Sequence, residues 1–321
     1  MRYVVYGAGA IGGGIGARLF AAGCDVTLIA RGAHLERVRA AGLRERTPAG
    51  EVMRPVPVVG HPRELAFADD DIVLLAMKAQ DTAAALVDLR AAAGDGVAVV
   101  CAQNGVDNER MAARLFAHVY GVLVYMPATF LEPGVIVLHG AAAPGLLDIG
   151  RYPRGVDALA DRVAADLTTA GFVSRVSDDV MRLKYGKLLG NLGNAARALC
   201  APGPETDALV RAMAVEARAC FAAAAIAWAT EDEMAAIAAA VPSADVPGAP
   251  RAGSSSWQSL ARGTGSIESD FLNGEIALLG RLHGVPTPVN AAVQRLAAEA
   301  ASAGAPPESI PAASVLAAVD G

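Results

Sequence analysis

Residues 1–31 read MRYVVYGAGAIGGGIGARLFAAGCDVTLIAR, and the order of features in this stretch decides the fold. Residues 3–6 are a short apolar run, and glycines follow at once. Residues 10–22 hold no proline and are rich in helix formers, and a second apolar run, VTLI, fills residues 26–29. This is strand, Gly-rich turn, helix, strand. Gly7, Gly9 and Gly12 have the spacing of a dinucleotide-binding turn: the first allows the tight bend, the second lets backbone approach a pyrophosphate, and the third permits close helix–strand packing. Ala10 and Ile11 complete the turn, where a helix N-terminus offers unpaired N–H groups and partial positive charge to phosphates. In a chain with 34 glycines the spacing alone is a weak signal, and its position between strand and helix is what gives it meaning.

The end of the second strand bears on which dinucleotide is held. An acid there suits a ribose 2′-hydroxyl, and an arginine suits a 2′-phosphate. Asp25 precedes the strand and sits at its wrong end, whereas Arg31 follows it, so NADPH/NADP is expected over NADH. An exposed surface cation is the plainer alternative for Arg31.

A chain of 321 residues is ample for two domains. Its formal charge of -6 argues against general nucleic-acid binding, which relies on basic surfaces. Cys24, Cys101, Cys200 and Cys220 are scattered without a paired spacing, as expected of reduced thiols in a cytoplasmic protein. No apolar run reaches the roughly 18 residues of a membrane span, and the first strand begins without a leader segment. The five histidines (His34, His61, His118, His139, His283) show no ligand spacing, so no metal is expected and simple core or surface roles suffice for them.

Strand and helix patterns alternate through the first half. Apolar runs at 71–77 and 97–102 end at Lys78 and at Gln103-Asn104-Gly105, helices are expected at 82–93 and 107–116, and further strands at 119–124 and around Pro133-Gly134. This alternation predicts an α/β class, a Rossmann-type, mainly parallel sheet whose ligands lie beyond the strand C-termini, where Lys78 and Asn104 fall. From residue 178 the pattern is helical, clearest over 178–199, 205–230 and 267–282. The expected division is therefore 1–174, an NADP-binding Rossmann domain, and 175–321, an all-helical substrate-binding and catalytic domain. Residues 241–256, rich in proline and serine, read as a mobile loop over the site or a surface connection. Helices rich in small residues also suit a homodimer.

Lys184, Lys187, Asn191 and Asn194 recur every three or four residues and share one helix face. A solvated face explains two lysines, but asparagine is a poor helix-interior residue, so two on one stripe suggest a task.

Together, Gly7-x-Gly9-x-x-Gly12, Lys78, Gln103-Asn-Gly105, Lys187-Leu-x-x-Asn191, Ser255 and the run Glu268 to Gly274 resemble the ketopantoate reductase (2-dehydropantoate 2-reductase) family, in the same order over almost the whole chain. The resemblance implies NADPH-dependent reduction of a 2-oxo acid to a 2-hydroxy acid, in the pathway to pantothenate. It implies Lys187 as the catalytic proton donor and Glu268 as the acid that binds substrate hydroxyls and orients the lysine. Ser255 would hold the substrate carboxylate, Asn191 would face the substrate, and Lys78 and Asn104 would lie around the nicotinamide ribose; Asn194, on the same helix stripe, is a further candidate for substrate contact. The chain departs from the family pattern at Ala252 and Ala195, where asparagines are usual, and the stretch 258–268 is one residue longer. Those changes keep open a relative acting on another keto or imino compound. A non-catalytic NADPH sensor is the alternative of a different class, disfavoured by the retention of both Lys187 and Glu268.

Overall fold

The computed structural model describes residues 1–251 and 253–319. The chain opens with β1 (Arg2–Tyr6), α1 (Ala10–Ala21), β2 (Asp25–Ile29) and α2 (Gly32–Ala41). A hairpin of β3 (Leu43–Thr47) and β4 (Gly50–Arg54) leads to the short β5 (Val58–Val59), then β6 (Ile72–Leu75), α3 (Ala79–Ala93), β7 (Ala98–Cys101) and α4 (Asn108–Ala113). Strands β8 (His118–Tyr125), β9 (Ala128–Thr129), β10 (Val135–Leu138) and β11 (Leu146–Arg151) precede α5 (Ala158–Thr169). The rest is helical: α6 (Val180–Asn191), α7 (Gly193–Leu199), α8 (Pro204–Ala223), α9 (Glu231–Ala239), α10 (Ser255–Ala261), α11 (Asn273–His283), α12 (Pro288–Ser302) and α13 (Ala312–Ala317).

Two compact units result. The first, residues 1–104, 108–183 and 231–251, holds a seven-stranded sheet in the order β11-β8-β7-β6-β1-β2-β5. All its neighbouring strands pair in parallel except the edge pair β11 and β8. Alternate side chains of the central strands enter two cores, as a sheet covered on both faces requires: Val5, Leu28 and Leu74 pack with Ile15 and Leu19 of α1, and Val4, Ile29 and Val73 pack with Leu86 and Leu89 of α3. A second sheet, β4-β3-β10-β9, flanks α1 through Ile136 and Leu138. The α/β reading holds, with a mainly parallel sheet followed by a helical part.

The sequence reading places one cut, at 174/175, whereas the units interleave: α9 and the segment after it belong to the first unit. Ile237 and Val241 pack with Leu123 and Leu146, and Val246 packs with Val135 and Val137. The stretch 241–256, read as a mobile loop over the site or a surface connection, is partly ordered by backbone bonds. Ala141 N–H donates to Pro242 O and Ala244 N–H to His139 O, so residues 242–244 are bonded to the loop after β10, and Ser255 already begins a helix. Ala252 lies outside the described residues.

The second unit, whose described residues are 105–107, 184–230 and 253–319, is helical around a buried polar network. Asn273 Nδ2 donates to Leu192 O and to Asn290 Oδ1, while Asn290 Nδ2 and the backbone N–H groups of Val289 and Asn290 donate to Glu216. Buried amides that donate in this way fix α8, α11 and α12 against the end of α6. No helix among the described residues is long and apolar enough to cross a membrane, and the cysteines are free.

Candidate active site

In the first unit the Gly-rich turn is shaped by what a side chain would strike. Gly7 has φ +101°, and a Cβ there would lie 2.5 Å from Met77 N; at Gly12 it would lie far inside contact with Gly7 O and 2.8 Å from Ala76 Cβ. Gly9 is the N-cap of α1, with no side-chain cap, no acid in the first turn, and nothing closer than Phe130 Cδ1 at 4.0 Å to the position of its missing Cβ. The N–H groups of Ala10, Ile11 and Gly12 therefore end the helix without a side-chain cap, a cradle that fits a pyrophosphate.

Lys78 is the N-cap of α3, three residues beyond the C-terminal end of β6, and Asn104 follows β7, the neighbouring strand. Their loops are tied by a buried network that the sequence reading did not foresee. Gln103 Nε2 donates to Met77 O and to Thr82 Oγ1, Thr82 Oγ1 donates to Asn108 Oδ1, and Asn108 Nδ2 donates to Asn104 O. Arg31, at the N-cap of α2, is 82% exposed and forms a 2.8 Å ion pair with Asp81 in the first turn of α3. An acid beside the arginine is thus a further unforeseen feature, separated by fifty positions in the chain and visible only once α3 is placed.

In the second unit Lys184 is buried and Lys187 half-buried on α6. Gly186 between them packs so closely on Ala229 that a Cβ would lie 2.7 Å from Ala229 Cβ, and Tyr185 meets Phe221 edge-on with centroids 5.3 Å apart. Burial is the main reason that the Lys187 ammonium is lowered to about 7; the Lys184 charge lowers it further, and the Glu268 carboxylate opposes both. Glu268 is 4% exposed and begins a 3-10 turn, Glu268–Phe271, immediately before α11. Since Asn273 of α11 bonds to Leu192 at the end of α6, the same network that orders the helices sets Glu268 relative to Lys187.

Asn191 lies four residues, about one turn, after Lys187, and its buried Nδ2 has no hydrogen-bond partner. An orphaned buried donor of this kind is a candidate ligand contact. The expected continuous helix over 178–199 instead breaks at Leu192, so Asn194 stands on α7. Ser254 Oγ donates to Asn194 O and accepts from Trp257 N–H, which makes Ser254 the cap of α10 and leaves Ser255 as its first, half-buried residue. Ala195 is fully buried. Among the described residues no group of three or more His, Cys, Asp or Glu side chains is placed to hold a metal ion.

Residues 3–154 match the family described as ketopantoate reductase PanE/ApbA, and residues 179–301 match its C-terminal counterpart. The chain belongs to the ketopantoate reductase family. A 2-dehydropantoate 2-reductase of Mesorhizobium japonicum is 32% identical, over 93% of this chain and 98% of its own length. The crystal structure of a PanE/ApbA family ketopantoate reductase from Ralstonia eutropha JMP134 superposes with a TM-score of 0.80 at 29% identity, covering 95% of this chain and 99% of that one. D-mandelate dehydrogenase, in a ternary structure with NADH and anilino(oxo)acetate, shares the fold at a TM-score of 0.80 and 23% identity, with coverage of 95% and 99%.

Proposed function

We propose that this ketopantoate reductase family member is a cytoplasmic, NADPH-dependent enzyme that reduces a 2-oxo acid to a 2-hydroxy acid, with 2-dehydropantoate as the first substrate to try. The observation that carries the reading is Lys187, held at about 7 by burial, with Glu268 as counter-charge and the unpartnered amide of Asn191 one turn away. Residues 1–174 hold the dinucleotide in this reading and residues 175–321 the substrate, with 231–251 serving the framework of the first unit.

When bound, NADPH supplies the hydride that the carbonyl carbon receives. The backbone N–H groups of Gly9, Ala10, Ile11 and Gly12 would hold its pyrophosphate and Arg31 its 2′-phosphate, with Lys78 and Asn104 at the nicotinamide ribose. Protonated Lys187 stabilises the developing alkoxide and delivers its Nζ proton to that oxygen, so that C=O becomes CH–OH with one hydride and one proton added. An ammonium near 7 suits this work, because it is both substantially protonated and acidic enough to give the proton up. Glu268 keeps charge beside the lysine and accepts from a substrate hydroxyl. Asn191 and Asn194 offer polar contacts to the substrate, and Ser255 donates to its carboxylate. The substrate is a small molecule, neither nucleic acid nor membrane is a partner, and the helical unit offers a surface for a homodimer.

Loss of NADPH absorbance on mixing with 2-dehydropantoate tests the proposal. Turnover supports it. NADPH binding with turnover of other 2-oxo acids, ketones or imines, but not of 2-dehydropantoate, would move the substrate and point to Ala195 and Ala252. Binding with no turnover of any of them would favour the sensor.

A further inference from the structure

His34 is one of the histidines to which the sequence reading gives no task, yet it stands behind the Gly-rich turn. Its Nε2 lies 2.7 Å from Ala8 O, and Gly134 N–H, one hundred residues away in the chain, donates to its Nδ1 at 2.8 Å. These two bonds fix the tautomer. A backbone N–H can only donate, so Nδ1 is bare, and the ring proton sits on Nε2 and is given to Ala8 O. The ring is buried, edge-on to Phe130 with centroids 4.8 Å apart.

The carbonyl it grips belongs to the peptide between Ala8 and Gly9. In a trans peptide the C=O and N–H point in opposite directions. A bond that holds Ala8 O towards His34 therefore turns Gly9 N–H away from it, at a helix N-cap where no side chain caps the turn and nothing comes closer than Phe130 Cδ1, at 4.0 Å, to the missing Cβ of Gly9. On the other side Gly7 holds φ at +101° beside the Met77 backbone, a conformation that a residue with a side chain would not keep. We infer that His34, as a neutral imidazole, is a positioning residue that aims the Gly9 N–H at the dinucleotide pyrophosphate. Protonation would set an N–H against Gly134 N–H and break the clamp. Burial lowers the ring's tendency to protonate, opposed by the Ala8 bond; the ionisable groups nearby are Glu36 and Arg37 on α2 and Glu132 before the turn, which line the adjoining hollow.

This rests on the dinucleotide reading above, and the test separates the two. NADP+ binding is measured by calorimetry for wild type, His34→Gln and His34→Phe at several pH values from mildly acidic to mildly alkaline, with thermal unfolding of each. Glutamine can donate and accept at a similar reach without titrating, and phenylalanine keeps the ring alone. The Phe variant should bind about tenfold more weakly and Gln within about threefold of wild type, with the turnover number at saturating cofactor unchanged in both. The advantage of wild type over Gln should fall as the pH drops, and ring 15N shifts of wild type should report the Nε2–H tautomer. Equal binding by Phe and wild type, equal losses in two folded variants, a pH-independent ratio or the Nδ1–H tautomer would each overturn the inference. Wild type that binds no NADP+ would overturn the dinucleotide reading and this one with it.

Discussion

The Gly-rich turn and the Lys187 site use side chains in opposite ways. At the turn, side chains are removed so that backbone can bend at Gly7, touch at Gly12 and present bare N–H groups at Gly9, all within six consecutive residues. At Lys187, side chains are collected: two lysines on α6, Glu268 from a 3-10 turn some eighty positions later and an asparagine amide left without a partner. The first site needs little more than local geometry. The second owes its chemistry to burial, which lowers an ordinary lysine to about 7. In the proposed roles, backbone recognition is thus encoded locally, while acid–base chemistry is produced by packing.

The sharpest separation comes from Lys187→Ala. Loss of the proposed proton donor should lower the turnover number by about a thousandfold while leaving NADP+ affinity within about twofold. Stopped-flow hydride transfer and calorimetry on the same preparation check it, and parallel losses of both would mean that the two sites are not independent.

Gly12→Ala attacks the other side. The added methyl has nowhere to go against Gly7 O and Ala76, so the turn must open. Cofactor KM should rise about a hundredfold in a protein that still folds, since overpacking costs on the order of 1–3 kcal/mol. The pH dependence of turnover at saturating cofactor should stay where Lys187 puts it. A displaced pH profile would show that the backbone site shapes the proton donor.

With cofactor saturating, so that the His34 clamp drops out, titration reports on the charge-built site. If Lys187 is the proton donor proposed above, reduction needs it protonated, so kcat/KM for the oxo acid should be level below about 7 and fall tenfold per unit above it, and oxidation of the hydroxy acid should follow the inverse course. Stability follows from the same depression. Below about 7 the lysine is charged both folded and unfolded, and the folded state bears the full cost of burying that charge; between about 7 and 10.5 only the unfolded state is still protonated, so the cost fades as pH rises. Lys187→Met should therefore raise Tm by roughly 2–4 °C at mildly acidic pH, with the gain shrinking towards alkaline pH. A constant gain across pH would assign it to packing.

Legibility in the sequence divides along the same line. The β1-α1-β2 unit was plain because its turn is contiguous and its runs are apolar. The β3–β4 hairpin was not, because Arg44 and Arg46 pair with Glu51 across the strands and Glu45 is buried between Arg18 and Arg54, which hides the apolar alternation of an ordinary strand. The break at Leu192 escaped notice because helical composition runs through it, and α9 was passed over because its anchors, Leu123 and Leu146, lie far away in the chain. The conjunction of Lys187 with Glu268 was accessible only through family resemblance. Spacing put the lysines on one face, but nothing local says that Asn273 ties α11 to the end of α6. His34 was dismissed for a similar reason: a histidine's task is set by what lies at each ring nitrogen, and one of those partners is a hundred residues distant.

Arg31 is the intermediate case, an exposed charge at the edge of the backbone-built site, and its predicted effects are the smallest. If it reads a 2′-phosphate, Arg31→Ala should raise KM for NADPH about tenfold and leave NADH nearly unchanged, a single charge-assisted contact being lost. Asp81 sharpens the test. It occupies the guanidinium at 2.8 Å, and the phosphate must share or displace it. Because an exposed pair of this kind is worth at most about 1 kcal/mol, Asp81→Asn should improve NADPH affinity by only about twofold to fivefold. The gain should shrink in high salt, which screens an exposed carboxylate's repulsion of the phosphate. Steady-state kinetics with both dinucleotides at two salt concentrations measure this. If Asp81→Asn instead weakens NADPH, the carboxylate serves to orient Arg31 for the phosphate; if it weakens NADH alone, Asp81 contacts the unphosphorylated ribose, and the cofactor preference was misread at the strand end.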